Sequence, residues 1–453
     1  MKRIIGILVL LGTATSFMGG CEHPGEEDSP ATASTAEWTL SVGDATGELL
    51  RPLLGVNAGP YPSGTPGNPD LTEEYRTLGV TEIRNHDFYG PLDMVKMYPD
   101  HTQNPNLPGS FDFGESDIRF QAIVDGGFEP YFRLGDSYND PTPPSPANLD
   151  NYVTAAVNVV RHYREGLWSG FESPFIYVEI WNEPGDHFWP GYSMNHFYTF
   201  YTKLALALRD AFPGLKIGGP GWSPAGYLSP TGMERVGSFL DAVKAADAPL
   251  DFHSWHVYSN DPDDYAKAAD WYREELDARG FTGTESHISE WNTGTNGLSA
   301  AEQKDLRINA KGATINTAAW IELQKTDVAV STFYRGNDTS SDLPAFFGMF
   351  HADGTRKKIA DAFELWSAMA EYSGRLELTG GEESGLHIIA GRNAEGRIAV
   401  LIANTTEEAT TYSFESTGTI EAVSDDDEGI VVRSAAADEN GIGAHTVHLV
   451  LLD

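Results

Sequence analysis

The chain has 453 residues, 66 of them Asp or Glu and 30 Lys or Arg, for a net charge of −36 at pH 7. A surface of that sign repels phosphate backbones, which argues against nucleic acid as a partner. Hydrophobic residues at 40% and charged residues at 21% fit a folded globular protein, and the single cysteine, Cys21, excludes an internal disulfide.

In chain order, residues 1–20 read as a processing signal. Lys2 and Arg3 precede the apolar run Ile4–Leu11, which is too short for a permanent membrane span. Met18-Gly19-Gly20-Cys21 resembles a bacterial lipobox with Met18 in place of the usual leucine. Cys21 is therefore expected to carry lipid and to anchor the chain at the cell envelope, on the periplasmic face or the outer surface. Residues 21–37 are small and polar, include Pro24 and Pro30, and read as a flexible tether.

Residues 38–52 hold the short runs Trp38–Val42 and Leu49–Leu50, expected to add strands to a β-sandwich. From residue 53 to 373, apolar runs alternate with amphipathic segments. Strands are predicted at Leu53–Asn57, Glu82–His86, Pro130–Leu134, Ile176–Trp181, Lys216–Gly219, Asp251–Tyr258, His287–Trp291 and Val328–Tyr334. Helices are predicted at Leu71–Leu78, Glu115–Asp125, Leu149–Glu165, Met194–Phe212, Met233–Ala245, Asp263–Ala278, Ala300–Gln324 and Lys357–Ala370. Such an alternation predicts an α/β fold, a closed (β/α)8 TIM barrel. An open doubly wound sheet is the competing architecture, but no Gly-rich phosphate turn follows the first strand. Ser299 with Glu302 has capping-box spacing, and Pro213-Gly214 closes another helix. Residues 374–453 carry short alternating runs separated by Gly, Asn, Asp and Thr, which predict a small C-terminal antiparallel β-sandwich. Asp425-Asp426-Asp427-Glu428 reads as a solvated acidic turn.

Two stretches are alike. Phe175–Pro184 reads FIYVEIWNEP and Glu285–Asn292 reads ESHISEWN. Each is an apolar run that ends on a glutamate beside Trp and Asn. A TIM barrel carries its chemistry at the C-terminal strand ends, so Glu183 and Glu290 are expected to face one cleft from strands four and seven. Pro184 is expected to hold Glu183 extended. Ser254, His256 and Tyr258 share the inward face of strand six by period two, and Arg84 and His86 share a face at the end of strand two. His86-Asp87 with Asp93 lacks the histidine or cysteine partner that a metal site would need.

The segments VEIWNEPGDHFWPG (Val178–Gly191), Phe197–Pro220, DFHSWHVY (Asp251–Tyr258) and ISEWNTG (Ile288–Gly294) resemble glycoside hydrolase clan A. Within it they resemble family 39, the β-xylosidase and α-L-iduronidase family, over most of the barrel. The resemblance implies a retaining O-glycosyl hydrolase that needs neither cofactor nor metal. It implies Glu183 as acid/base and Glu290 as nucleophile, with the Glu290 anion raising the pKa of Glu183. It also implies that Asn182 donates to a sugar 2-hydroxyl, which requires a distorted strand end, because neighbours in an ideal strand diverge. His86, His256, Tyr258, Arg84, Trp291 and Tyr334 join the candidate substrate-binding set.

Three departures from the β-xylosidase pattern bear on the sugar. Strand three ends Arg133-Leu134-Gly135-Asp136, with arginine where an acid is expected. Strand eight, Ser331-Thr332-Phe333-Tyr334-Arg335, lacks the tryptophan and the later glutamate. No tyrosine follows the nucleophile at Thr295-Asn296-Gly297. Arg84, Arg133 and Arg335 are expected near the barrel mouth, either as a cluster for a carboxylate or sulfate on a substituted sugar or as counterions to Glu183, Glu290, Asp87 and Asp136. The expected substrate is an oligo- or polysaccharide of plant, algal or exopolysaccharide origin, cleaved in xylosidase-like fashion. An acidic glycan as substrate and a non-catalytic glycan-binding lipoprotein are the alternatives, and family members' use of the sandwich in assembly leaves an oligomer open.

Overall fold

The alternating runs close into a ring. A computed structural model describes residues 37–61, 69–86, 90–138, 141–339, 345–381, 384–437 and 439–453. The expected signal, Cys21, the tether up to residue 36 and Asp87 lie outside these residues. Eight parallel strands form the barrel in sequence order: Gly55–Asn57, Glu82–Arg84, Glu129–Leu134, Tyr177–Ile180, Lys216–Trp222, Phe252–Tyr258, Glu285–Asn292 and Val328–Phe333. Strand eight pairs back onto strand one through Thr332 with Gly55 and Phe333 with Val56, so no edge remains.

Period two sorts the side chains. On strand four, Val178 and Ile180 pack into the layer between barrel and helices, while Tyr177 and Glu179 face inward. The barrel floor is apolar, built from Tyr131, Phe252 and Val330 with Tyr177 against them, and His287 stacks on Phe252 at 4.4 Å. The next layer up is ionic and carries the site described below. The helices follow their apolar stripes. Leu149–Glu165 buries Tyr152, Val153, Ala156, Val160 and Tyr163 on one face, and Gly166 ends it in the left-handed region at φ 70°. The capping box of Ser299 and Glu302 forms as its spacing predicts.

The expected single helix Ala300–Gln324 is instead two, Ala300–Arg307 and Ala310–Leu323. Asn309 is extended, at φ −86° and ψ 173°, and its side chain makes no cap. A Cβ on Gly312 would stand 2.0 Å from the Leu306 carbonyl, so the glycine lets the first helix fold back onto the second. The missing cap comes from the acidic turn, where Asp425 Oδ1 accepts from the Ala310 N–H at 2.7 Å. The Asp427 carbonyl accepts from Lys358 Nζ at the start of helix Lys358–Ala370. The turn therefore docks on the barrel and is not simply solvated.

Beyond the barrel lie two sheets. A seven-stranded antiparallel sheet runs in the order Val431–Ala435, Gly418–Val423, Thr446–Leu452, Ile398–Asn404, Leu386–Arg392, Gly374–Thr379, Ser41–Leu49. It packs on helices Ala310–Leu323 and Lys358–Ala370. A three-stranded sheet of Glu37–Thr39, Thr410–Ser413 and Asn440–Ile442 covers its other face, with Leu40, Val400, Ile402, Tyr412 and Val450 between them. The Glu37–Thr39 pairing with Thr411–Ser413 is parallel, so the sandwich is antiparallel except for that pair. Replacing Asp425 by Ala should lower the unfolding free energy in urea by about 0.5–2 kcal/mol, the worth of an N-cap. The same change at the neighbouring Asp426 should leave the denaturation curve in place.

Candidate active site

Strand two ends on Arg84, whose guanidinium lies wholly inside the barrel. Nε donates to Glu179 Oε2 at 2.6 Å, Nη1 to Glu290 Oε1 at 2.8 Å and to Asn57 Oδ1 at 2.9 Å, and Nη2 to Asn182 Oδ1 at 2.7 Å. One side chain thus ties the ends of strands one, four and seven. Burial works against the charge on Arg84, and the carboxylates of Glu179 and Glu290 more than offset it. Space for this layer comes from Gly221 on strand five, where a Cβ would lie 2.9 Å from His256 Nε2 and 3.4 Å from Arg84 Nη2.

Glu290 is held by three donors. Oε1 takes Arg84 and faces His86 Nε2 at 3.2 Å, and Oε2 accepts from the Tyr258 hydroxyl at 2.8 Å. Burial pushes the Tyr258 phenol well above its usual range, so it donates. Burial, with Arg84 and Arg133, holds His86 well below its ordinary value and keeps it neutral. Glu183 is served differently. Its Oε1 meets only His256 Nδ1, at 2.7 Å, and His256 is itself held neutral, at about 4, by burial and Arg84. Burial raises the Glu183 carboxyl from 4.5 to about 7, with Arg84 and His187 pulling the other way. The cause is desolvation, where the sequence suggested the Glu290 anion. Burial also raises Glu290, but its ring of donors favours the anion. The donor atoms of Glu183, His256 and Glu290 all lie within 4.8 Å of one another.

Glu183 is not extended. Trp181 and Glu183 both occupy the left-handed region, at φ 77° and 44°. The reason is packing. The Trp181 indole is fully buried against Trp189 and Phe200, with Nε1 donating to the Phe188 carbonyl at 3.0 Å. Its backbone passes so close to Gly135 that a Cβ there would lie 3.0 Å from Trp181 Cα. Turning the chain to seat that indole swings both Asn182 and Glu183 toward the cleft. Arg84 takes the Asn182 amide oxygen, which leaves the NH2 group to donate.

A cleft of about 1040 Å³ opens above the pair. His86, Asn182, Glu183, Tyr258, Glu290, Tyr334 and Arg335 line it, as expected of their positions. His256 does not; it sits behind Glu183 and orients it. Trp291 is buried outside the barrel wall, its Nε1 donating to Ser331 Oγ at 2.8 Å, and cannot touch a sugar. The three arginines do not gather at the mouth. Arg84 is spent on Glu179 and Glu290, Arg133 is buried in an ion pair with Asp93, and only Arg335 reaches the cleft. Asn292 is structural, donating to the Tyr334 carbonyl at 2.6 Å.

Glu179, Asn57 and Arg307 were not singled out by the sequence. A lone acid between Val178 and Ile180 was a readable signal for Glu179. Nothing local marks Arg307, which reaches the cleft wall only because its helix ends there. Among the described residues, two trios have donor atoms close enough for a metal ion: Glu183, His256 and Glu290, and Asp263, Glu322 and His387. In the first, a cation would compete with Arg84 and Tyr258 for Glu290; in the second, Glu322 is already held by Lys325 and His387.

Arg84→Met strands Glu179 in a buried site without its cation, and should cost about 3–5 kcal/mol of unfolding free energy. Arg84→Met combined with Glu179→Leu should recover most of that loss. Urea denaturation of both variants checks the pair, and equal destabilisation would contradict the ionic account.

Residues 70–285 match the family model described as glycosyl hydrolases family 39. A β-xylosidase from Geobacillus stearothermophilus is 27% identical over 134 residues, which span 29% of this chain and 25% of that protein. Among solved structures, a glucosidase from Croceicoccus marinus is 25% identical with a TM-score of 0.76, over 92% of this chain and 99% of that one. A monomeric β-xylosidase from Caulobacter crescentus, at 17% identity, shares the fold with a TM-score of 0.67, over 92% of this chain and 99% of that one. With the matching motifs on the strand ends that carry Glu183 and Glu290, the barrel of this chain is similar to glycosyl hydrolases family 39.

Proposed function

We propose that this chain is a xylosidase-like glycoside hydrolase that acts by double displacement with retention of configuration. The supporting observation is the closeness of the two carboxyl groups, one oxygen of each lying within 4.8 Å of the other. Retaining enzymes hold the pair about 5–5.5 Å apart, whereas inverting ones leave about 6.5–9.5 Å for a water.

Between about pH 4 and pH 7, Glu183 carries a proton and His256 is neutral. With the His256 Nδ1–H on Glu183 Oε1, the acid proton sits on Oε2 and faces the cleft. Glu290 attacks the anomeric carbon while Glu183 protonates the glycosidic oxygen, and the aglycone leaves as an alcohol. The glycosyl ester on Glu290 no longer carries charge. Glu183, now an anion, takes a proton from water as that water attacks the same carbon, which frees Glu290 and restores the acid. Asn182 donates to the sugar 2-hydroxyl during both steps.

Proton NMR of the first-formed sugar tests retention: the product should keep the anomeric configuration of the substrate, and inversion would refute the mechanism. The kcat/KM profile should fall as pH rises through about 7, where Glu183 loses its proton. It should fall again on the acid side, as Glu290 gains one above the ordinary 4.5. Glu183→Ala should lower kcat/KM by about 10²–10⁴-fold on poor leaving groups and erase the alkaline limb.

One observation favours a second reading. Arg307 lines the cleft at only 5% exposure, stacked 3.8 Å over Phe347, and its Nη1 meets no partner among the described residues. Buried cations are ordinarily paired, so an acidic substituent on the sugar is the alternative substrate. Aryl β-D-xyloside, β-D-glucoside, α-L-arabinoside and α-L-iduronide separate the two readings: the xyloside should be turned over fastest, and preference for the uronide would install the second. We also propose that Cys21 carries a lipid anchor at the cell envelope. Cys21→Ala should then move the protein from the membrane fraction to the soluble fraction.

A further inference from the structure

The two sides of the cleft differ in how many polar side chains their loops bring to it. Around Glu290, the loops after strands six to eight bring a mixed set to the cleft, the polar Ser259, Asn260, Thr295, Asn296 and Arg307 beside Leu298, Phe346 and Phe347. Around Glu183, the loops after strands three to five bring Tyr138, Phe188, Pro224 and Leu228. Tyr138 is 62% exposed and Leu228 is 64% exposed, an unusual degree for large apolar side chains that share one cleft. The Tyr138 ring is also held in place. His187 packs on it at a centroid distance of 4.5 Å and donates from Nε2 to the Tyr138 carbonyl at 3.1 Å, while Phe188 meets its edge at 6.2 Å. Leu228 ends the short helix Ala225–Leu228, its N–H bonded to the Pro224 carbonyl at 3.1 Å. The rim is thus a fixed apolar surface.

Its position assigns its role. Glu183 delivers its proton to the oxygen that departs, so the leaving group must exit along the Glu183 side of the cleft. The geometry points to an aglycone subsite formed by Tyr138, Phe188, Pro224 and Leu228 that takes an apolar aglycone, an alkyl or aryl group, in preference to a further sugar. This rests on the assignment of Glu183 as the acid. Two aliphatic side chains and two aromatic rings favour hydrocarbon, because a sugar ring also requires hydrogen-bond partners for its hydroxyls and these four side chains offer only the Tyr138 phenol.

The test compares octyl, methyl and disaccharide substrates sharing the glycone that the panel above selects. Octanol and methanol are leaving groups of similar acidity, so their difference reads binding. The octyl glycoside should exceed the methyl glycoside in kcat/KM by about tenfold or more, as burial of several methylenes implies. Tyr138→Ser with Leu228→Ser should erase that advantage through KM, while kcat/KM for the methyl glycoside, too short to reach the rim, holds. Equal rates on octyl and methyl glycosides, or a disaccharide preference lost in the double variant, would overturn the proposal. Calorimetry of octyl and methyl glycosides with the Glu290→Gln variant reads the subsite without turnover. Tighter octyl binding there would uphold the rim even if the catalytic assignment failed, and equal binding would reject it.

Discussion

One guanidinium organises this barrel. Arg84 is the only cation in contact with Glu179 and Glu290 among the described residues, and it also fixes the amides of Asn57 and Asn182. A buried carboxylate without a partner is costly, and two in one small space would be costlier. With Arg84 in place, Glu290 has one oxygen committed to the guanidinium and the other to Tyr258, so its orientation is set before any sugar arrives. Glu179 touches no cleft. It holds Arg84 from below, as the apolar floor of Tyr131 and Phe252 in turn carries Glu179.

The two catalytic candidates differ because their surroundings do. Both are carboxyl groups taken out of water, but one is surrounded by donors and the other has a single neutral imidazole beside it. These surroundings thereby favour the charge at Glu290 and the proton at Glu183 without needing any difference in residue type. The strained backbone at Trp181 and Glu183 belongs to the same arrangement. Each such residue costs on the order of 1–3 kcal/mol, and the burial of the Trp181 indole in the helix layer opposes that cost. The result is an amide and a carboxyl, adjacent in sequence, aimed into one space.

Much of this was legible in the chain. The eight runs marked their strands with ends off by up to three residues, and the paired motifs pointed to Glu183 and Glu290, because strand ends in a parallel barrel share one mouth. The same period-two rule that turns Glu290 inward turns Trp291 outward, so parity alone excludes Trp291 from the cleft. Pro184 misled. It disfavours the right-handed helical region for Glu183, but the choice between extended and left-handed was made by the packing of Trp181 two residues earlier. The arginines were unreadable in a different sense. Whether Arg84, Arg133 or Arg335 is free depends on which carboxylates closure of the barrel brings alongside, and no local pattern encodes that. The break at Asn309 was hidden likewise, since its cap, Asp425, comes from the sandwich.

Strand Ser41–Leu49 precedes the barrel and strand Gly374–Thr379 follows it, yet they pair side by side, from Leu49 with Gly374 to Ser41 with Thr379. The two ends of the barrel are therefore clasped together. Such a contact joins distant parts of the chain, so forming it closes a loop that contains the whole barrel. A pull on residue 37 would therefore meet the Glu37–Thr39 pairing with Thr411–Ser413 and then this ladder before it met the strand that begins the barrel.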